Sequence, residues 1–421
     1  MRFALSFSNG KIQATLKDIN NDPFPLLTDV FFNSKKLDEE ISRFSLQGRV
    51  NHVPPFEVSC KIPEDLKRIS FAFFDEVHRI WQFVDKKIAV SLADYYFNVF
   101  SHCFWRKYSG QGYHLLATKA LEAACSLATE WESLNQNRHV HKGTPYYFLT
   151  SSYMLSGDLD SMYASIFKAI EEDKKSKGAS LNNLDAYKDS PAYSYLVLKD
   201  SSKNYLYGAI KNIRTILNDY IKELNQLTNW NFSLKEMDQK FSTPDLEDIR
   251  FLFNYSLESY LKYQNQFAEL PIQNDFYRIR NAQNIFDMCL VVDKILETRF
   301  ENDFLAIPRR RRNEMTIANG VYHLFDHKGW ITGIPNPGSL KGELEPKVLD
   351  IKPDDALPLL FRNDVTLNGN PISVPMSVFI MTWLLRNFAG HHIERQRVFT
   401  DNYGDIIKRV LWATLISLME M

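Results

Sequence analysis

The stretch PMSVFIMTWLLRNFAGHH, residues 375–392, decides how the C-terminal part of this chain folds. Apolar residues recur along it every three or four positions, at Val378, Met381, Leu385 and Phe388. This is the spacing of one face of an α-helix that packs on a core. Gly390 predicts the end of the helix, because glycine readily adopts the backbone conformation that follows a last helical turn.

Four polar residues follow the apolar part of this helix: Arg386, Asn387, His391 and His392. In an unbroken helix, Arg386 and His391 would point about 140° apart, whereas Asn387 and His391 would share a face. A break at Gly390 would instead let a histidine turn back toward the guanidinium. Arginine stabilises extra negative charge on a phosphate, and histidine moves protons near neutral pH. The combination indicates chemistry on a phosphodiester.

The pattern Arg-Asn-x-x-x-His resembles the signature of the HEPN superfamily (higher eukaryotes and prokaryotes nucleotide-binding). In that signature a histidine follows the arginine after four to six residues, and a polar residue commonly stands next to the arginine. Arg386 and His391 match this spacing, and Asn387 occupies the polar position. His392 also satisfies the spacing, so the choice between the two histidines stays open.

The resemblance implies a metal-independent endoribonuclease without a cofactor, of the kind found in toxin–antitoxin and anti-phage systems. Such enzymes cut RNA by 2′-hydroxyl attack, leave a 2′,3′-cyclic phosphate, and form homodimers with a composite active site. By resemblance, Arg386 would stabilise the phosphate charge, Asn387 would orient the reacting groups, and His391 or His392 would be the general acid and base. The activity would be controlled by an activating ligand or a regulatory protein.

Two alternatives remain for the same residues. Arg386 could bind the carbonyls of its own helix or a nearby carboxylate, with the histidines on the surface after a helix cap. The protein would then be a non-catalytic helical scaffold that dimerises and binds a protein partner. The other alternative is a HEPN-like domain that binds nucleotides without cleaving them.

Six further arginines are candidates for binding RNA: Arg309, Arg310, Arg311, Arg312, Arg395 and Arg397. Lys408 and Arg409 add positive charge in the sequence near the motif. The formal net charge of the whole chain is −1, so RNA binding would depend on such local patches.

The fold class predicted is mainly α, with several domains in 421 residues. Residues 1–65 form an N-terminal region in which Asn9-Gly10 predicts a β-hairpin. Residues 66–240 are predicted to be a helical regulatory or sensor region. Residues 241–421 are predicted to be the HEPN-like helical bundle that carries the nuclease motif.

Residues 143–177 resemble one tetratricopeptide-type helix pair with its turn at Gly157-Asp158. The expected buried residues are Tyr153, Leu155, Ile166 and Phe167. Repeats of this kind need about three copies to bury their faces, and no second clear copy follows. A plain helical hairpin is therefore favoured.

Several other patterns limit the class of protein. The four cysteines form no Cys-x-x-Cys pair, and reduced thiols are expected. No signal peptide and no membrane span is expected, and a cytoplasmic location follows. His139-Val140-His141 is not expected to bind a metal, because no partner carboxylate or cysteine pattern accompanies it. The pair His323 and His327 has a spacing that metal sites use, but it lacks the Glu of a His-Glu-x-x-His motif, so no metal is expected there either. The Pro- and Gly-rich residues 329–375 either cover a site or form a linker.

Overall fold

Helices make up most of the protein, so the prediction of a mainly α fold is confirmed. A computed structural model describes residues 3–8, 11–16, 64–83, 86–100, 114–136, 138–177, 190–199, 206–267, 275–305, 316–391 and 397–421. The chain divides by its internal contacts into two compact units, Met1–Tyr195 and Leu196–Met421.

The first unit contains two strands and five helices among its described residues. They are β1 (Phe3–Ser8), β2 (Lys11–Leu16), α1 (Glu64–Phe83), α2 (Lys86–Phe100), α3 (His114–Leu134), α4 (Gly143–Ser156) and α5 (Leu159–Lys177). A short helix α6 (Pro191–Leu196) stands where the two units divide. The strands pair antiparallel, with Phe3 opposite Leu16. Asn9 and Gly10 lie outside the described residues, so the expected hairpin stays a prediction.

Aromatic side chains fill the core of the first unit. Phe74 of α1 packs edge-on against Tyr96 of α2 at 4.9 Å and against Trp131 of α3 at 5.9 Å between ring centroids. All three side chains are completely or almost completely buried. Edge-to-face contacts of this kind stabilise the packing of two rings beyond the stabilisation that comes from the area they bury. Part of the aromatic content of the chain therefore serves packing.

The helix pair expected at residues 143–177 is formed by α4 and α5. Gly157 has φ of 75° and follows α4 in the left-handed conformation, with its N–H donating to the carbonyl of Met154. Ile166 is buried and Tyr153 is partly buried, as expected. The burial predicted for Leu155 and Phe167 is wrong, since these side chains are 49% and 41% exposed. They lie on the sides of the helices that the rest of the unit does not cover.

The second unit contains ten helices among its described residues, with two very short strands. They are α7 (Tyr207–Thr228), α8 (Leu234–Phe241), α9 (Glu247–Phe267), α10 (Asp275–Leu305), α11 (Ile317–His327), α12 (Pro337–Leu344), α13 (Pro353–Phe361), β3 (Thr366–Leu367), β4 (Asn370–Pro371), α14 (Val374–His391), α15 (Val398–Asp401) and α16 (Tyr403–Met419). A 3-10 turn (Pro244–Leu246) precedes α9, and a π-helical turn (Glu345–Leu349) follows α12. The unit includes α7 and α8, which precede the boundary expected near residue 240.

Helix α14 forms the centre of the second unit. It packs against α10, α11, α13 and α16, and every residue from 377 to 385 is buried. Its apolar stripe was predicted, but residues 377–385 are covered on all sides, because neighbouring helices surround this part of α14. The buried hydroxyls of this stretch bond to backbone carbonyls: Ser377 donates to Leu360, and Thr382 to Val378. Paired in this way, polar groups can be buried without a large free-energy cost.

The Pro- and Gly-rich residues 329–375 form ordered local structure. Asn336 caps α12 by accepting a hydrogen bond from the Ser339 N–H at 2.9 Å, and Pro337 occupies the first turn. The chain then forms the π-helical turn, α13 and the β3–β4 pair. Of the two alternatives for these residues, a cover over a site or a linker, this ordered structure argues against a linker.

Candidate functional site

The polar end of α14 begins where the helix leaves the core. Leu385 is fully buried, whereas Arg386 and Asn387 are partly exposed. The guanidinium side chain of Arg386 is 32% exposed. Because the buried part of α14 is rigid, it fixes the position of Arg386, and the exposed part of the side chain remains accessible. This is the arrangement that a binding or catalytic residue requires.

Helix α14 includes Gly390 and ends at His391, one residue past the predicted helix end. Glycine is tolerated inside a helix at a cost of about 1 kcal/mol relative to alanine, so it does not by itself end one. The continuing helix places positions 386 and 391 about 140° apart around the axis, with positions 387 and 391 on one face. Arg386 and His391 of one copy therefore do not share a face of α14.

Arg386 is paired with Asp293 of α10. The guanidinium Nε donates to Asp293 Oδ2 at 3.2 Å, across 93 residues of sequence. The Asp293 side chain is 12% exposed and the Arg386 side chain is 32% exposed, so the ion pair is partly buried. Among the described residues, Asp293 is the acceptor that pairs with this guanidinium, and the contact uses Nε. The two terminal nitrogens therefore remain for another acceptor, such as a phosphate.

Burial raises the pKa of Asp293, although the charge and hydrogen bond of Arg386 lower it in part. Cys289 lies one turn earlier on α10 and is completely buried, and burial raises the pKa of its thiol also. A thiol with a raised pKa stays protonated at neutral pH and is a poor nucleophile. The groups beside Arg386 are thus an anchoring carboxylate and an inert thiol.

Most of the other predicted site residues lie outside the part of the chain that the structure describes. Arg309 to Arg312, His392 and Arg395 lie outside the described residues, and of His391 only the helical backbone is described. Arg397 is exposed, and its backbone N–H donates to Asp354 Oδ2 at 3.3 Å. Whether the arginines bind RNA stays a prediction.

Two of the basic residues near the motif in sequence have partners inside the second unit. The Lys408 ammonium lies 3.0 Å from Glu223 Oε1, and Arg409 donates to the Phe361 carbonyl at 3.0 Å. Arg409 also lies over the Phe361 ring. Their charges are therefore partly neutralised or used in packing, and they add less to an RNA-binding surface than their sequence position suggests.

A cleft of about 420 Å³ lies beside Lys408, between α7, α9 and the start of α16. Its charged lining residues are Glu223, Asp401, Asp405 and Lys408, with Tyr220 and Tyr260 on one wall. Three carboxylates outnumber one ammonium there. A phosphodiester would be repelled, so this cleft is not a site for the RNA backbone.

Two histidines of the first unit, His139 and His141, lie beside carboxylates that the sequence did not indicate. His139 lies 2.9 Å from Glu132 and 3.0 Å from Glu172, and His141 lies 3.7 Å from Asp173. The sequence around these histidines contains no pattern that indicates these carboxylates. The partners come from α3 and α5, and their approach depends on tertiary packing.

Histidines 323 and 327 pack against an aromatic ring. Both lie on α11, and their rings contact Phe300 of α10 with centroids 5.9 Å and 6.3 Å away. Within the described part of the chain, no group of three histidine, cysteine, aspartate or glutamate side chains is arranged to hold a metal ion. None of the helices described is both long enough and apolar enough to cross a membrane.

No known protein family, no curated protein and no solved structure matches this chain.

Proposed function

We propose that residues 241–421 form a HEPN-like ribonuclease that cleaves RNA without a metal ion, by attack of a ribose 2′-hydroxyl on the adjacent phosphate. The product would be a 2′,3′-cyclic phosphate. The observation that carries the proposal is the position of Arg386, which stands where the buried helix α14 reaches the surface and is anchored by Asp293.

Anchoring through Nε suits an arginine that binds a phosphate. The planar guanidinium would present its two terminal nitrogens together, in the fork that matches two phosphate oxygens. Because Asp293 already holds the side chain, less conformational entropy is lost when the phosphate binds. Positive charge fixed in advance stabilises the extra negative charge of a five-coordinate phosphate, and this is a large source of rate enhancement in such reactions.

The continuous helix favours a site shared between two copies. Positions 386 and 391 of one α14 lie about 140° apart, so one copy is unsuited to aim both at a single phosphate. In a twofold dimer, Arg386 of one copy and His391 of its partner would face the same RNA. Asn387 shares a face with His391 and would orient the histidine. His392 remains the other candidate for the general acid and base.

We further propose, from the resemblance alone, that the enzyme is a regulated toxin or an anti-phage effector in the cytoplasm. An unregulated ribonuclease would damage the cell that makes it. Residues 66–240 would then receive the signal, from an activating ligand or from a regulatory protein.

A non-catalytic scaffold is the second candidate, and the same ion pair favours it. Arg386 and Asp293 join α14 to α10, so a structural role alone would account for an arginine at this position. In that case residues 241–421 would only dimerise, and the helix pair at residues 143–177 would bind a protein partner. The two candidates differ in whether Arg386 is needed for RNA cleavage or for stability alone.

The experiment compares RNA cleavage by the full chain with that by Arg386→Ala, His391→Ala and His392→Ala. Arg362→Ala is the matched control, because Arg362 is an exposed arginine of the same unit that pairs with Asp364 at 2.6 Å. The nuclease proposal expects Arg386→Ala and one histidine variant to lose cleavage while they remain folded by circular dichroism. Equal cleavage by Arg386→Ala and Arg362→Ala would overturn it.

A further inference from the structure

Two carboxylates in the first unit hold the loop that joins α3 to α4, residues 138–142. Glu132 of α3 accepts a hydrogen bond from the Val140 N–H at 2.8 Å. Glu172 of α5 accepts one from the Lys142 N–H at 2.9 Å. The Glu172 side chain is only 4% exposed, so its charge needs a partner inside the protein. The loop thereby bridges two helices that are separated in sequence.

His139 lies between the same two carboxylates. Its Nδ1 is 2.9 Å from Glu132 Oε1, and its Nε2 is 3.0 Å from Glu172 Oε2. The second contact lacks the alignment of a hydrogen bond, so it is a charge contact. A neutral imidazole has one N–H and one bare lone pair, and that lone pair would face a carboxylate oxygen. Only the imidazolium is attracted to both partners.

The balance of charge also favours a proton on His139. The Lys142 ammonium is buried and lies 2.6 Å from Glu132 and 3.9 Å from Glu172, so two carboxylates share one enclosed cation. Lys175 lies 3.1 Å from Glu172 but is 55% exposed, and water screens its charge. Protonated His139 supplies the second enclosed positive charge.

Other charged and titratable groups lie on the 138–142 loop or on the helices around it. They are Asp75 and His78 on α1, Asp94 on α2, Asp173 on α5, and Arg138 and His141 on the loop. Arg138 pairs with Asp75 at 3.1 Å, so these two charges largely cancel. Burial and then the charge of Arg138 lower the pKa of His78, so this histidine is less readily protonated than an ordinary one. His141 lies 4.0 Å from Asp94, 3.7 Å from Asp173 and 3.9 Å from Glu172. It therefore shares Glu172 with His139, which lies closer to that carboxylate at 3.0 Å.

We propose that His139 is a protonation-dependent latch. As an imidazolium it holds the 138–142 loop between Glu132 of α3 and Glu172 of α5, and its deprotonation loosens the attachment of α5 to that loop. The latch belongs to the part of the chain expected to be regulatory, and it does not depend on the nuclease proposal.

The pH range of the latch follows from the pKa values of its members. Burial lowers the pKa of His139, but Glu132 and Glu172 outweigh burial and raise it above the ordinary 6.5. A raised histidine pKa contributes stability that is complete below pH 6.5 and is lost as the pH rises through the raised value. Burial raises the pKa of Glu172, but His139 and Lys142 outweigh it and lower that pKa to about 2. The stabilisation by the latch is therefore complete between about pH 4.5 and pH 6.5. It decreases toward pH 2 as Glu172 is protonated, and it is lost as the pH rises through the raised pKa of His139.

Hydrogen–deuterium exchange of the full chain at pH 6 and pH 9 tests the latch, after correction for the intrinsic exchange rates. We expect amides of residues 138–142 and of α5 to open more at pH 9, by about threefold or more. His139→Gln should open them at both pH values and abolish the difference. His327→Gln, which removes a histidine from α11, should leave the difference unchanged.

Equal protection of these amides at pH 6 and pH 9 in the wild-type protein would overturn the latch. A pH difference that persists in His139→Gln would do the same. If that variant fails to fold, the wild-type imidazole can be titrated by NMR. A His139 pKa above 6.5 supports the latch, and a value below 6.5 overturns it.

Discussion

The guanidinium Nε of Arg386 lies 3.2 Å from Oδ2 of Asp293, and this contact joins α14 to α10 in the second unit. The two residues are 93 positions apart in sequence. The contact determines the direction in which the guanidinium points, so both candidate functions depend on it.

Asp293→Asn should separate a positioning role from a structural one. The amide keeps the shape but loses the charge that anchors Arg386. If Asp293 positions a catalytic arginine, kcat for RNA cleavage should fall about tenfold, which corresponds to ~1.4 kcal/mol, while KM changes little. Asp364→Asn is the control, since Asp364 pairs with Arg362 on the surface. A changed melting temperature with unchanged kcat would show that the pair is structural.

Mixing two inactive variants should test the shared site. In a composite dimer, one copy of Arg386→Ala and one of His391→Ala would rebuild one intact site out of two. After exchange of subunits, the mixture should regain about a quarter of the wild-type activity, from random pairing in a twofold dimer. Recovery by a mixture of Arg386→Ala and His392→Ala would assign the chemistry to His392. No recovery in either mixture would contradict a site shared between copies.

Much of the helix content could be predicted, because it depends on residues close in sequence. The helix pair formed by α4 and α5 follows from apolar spacing and from the left-handed turn at Gly157. The exposure of Leu155 and Phe167 could not be predicted, since it depends on which faces the other helices cover. Within residues 329–375, Asn336 and Pro337 are a typical helix start, with an N-cap followed by a proline in the first turn. Hydrophobic spacing alone did not predict the short helix that begins there.

The candidate site was predicted only in part for the same reason. The sequence alone predicted that Arg386 and Asn387 lie near the end of a helix that packs in the core. The partner Asp293 was not, because it is 93 residues away. In the first unit, the carboxylates beside His139 come from α3 and α5, and no local pattern connects them to the histidine. The helix end was predicted to within one residue, since Gly390 lies inside α14 and His391 is its last residue.

Glu172→Gln should destabilise the protein above pH 4.5 and not near pH 2. The carboxylate has a pKa lowered to about 2, so its stabilisation is present above the ordinary value of 4.5 and disappears as the pH falls toward 2. The loss at pH 7 should be at most about 3 kcal/mol. Urea unfolding at several pH values measures it, with Glu171→Gln on the exposed side of α5 as the control. A loss that does not vary with pH would contradict the lowered pKa.

Leu385→Ala should destabilise the second unit strongly. The side chain is fully buried in α14, and removing it leaves a cavity that surrounding helices fill only in part. The free energy of unfolding should fall by about 2–5 kcal/mol. Leu227→Ala, at a leucine that is 49% exposed, should change it by no more than about 0.5 kcal/mol. Similar effects of the two substitutions would show that α14 is not the centre of the unit.

The chemistry of the RNA ends that the full chain produces in excess EDTA distinguishes a metal-independent ribonuclease from a scaffold. The nuclease proposal predicts new 2′,3′-cyclic phosphate ends with wild-type protein and none with Arg386→Ala. It also predicts that Arg362→Ala produces the same ends as the wild type. The absence of cleavage by the wild type, new 3′-hydroxyl ends, or cyclic phosphate ends that persist in Arg386→Ala would contradict it.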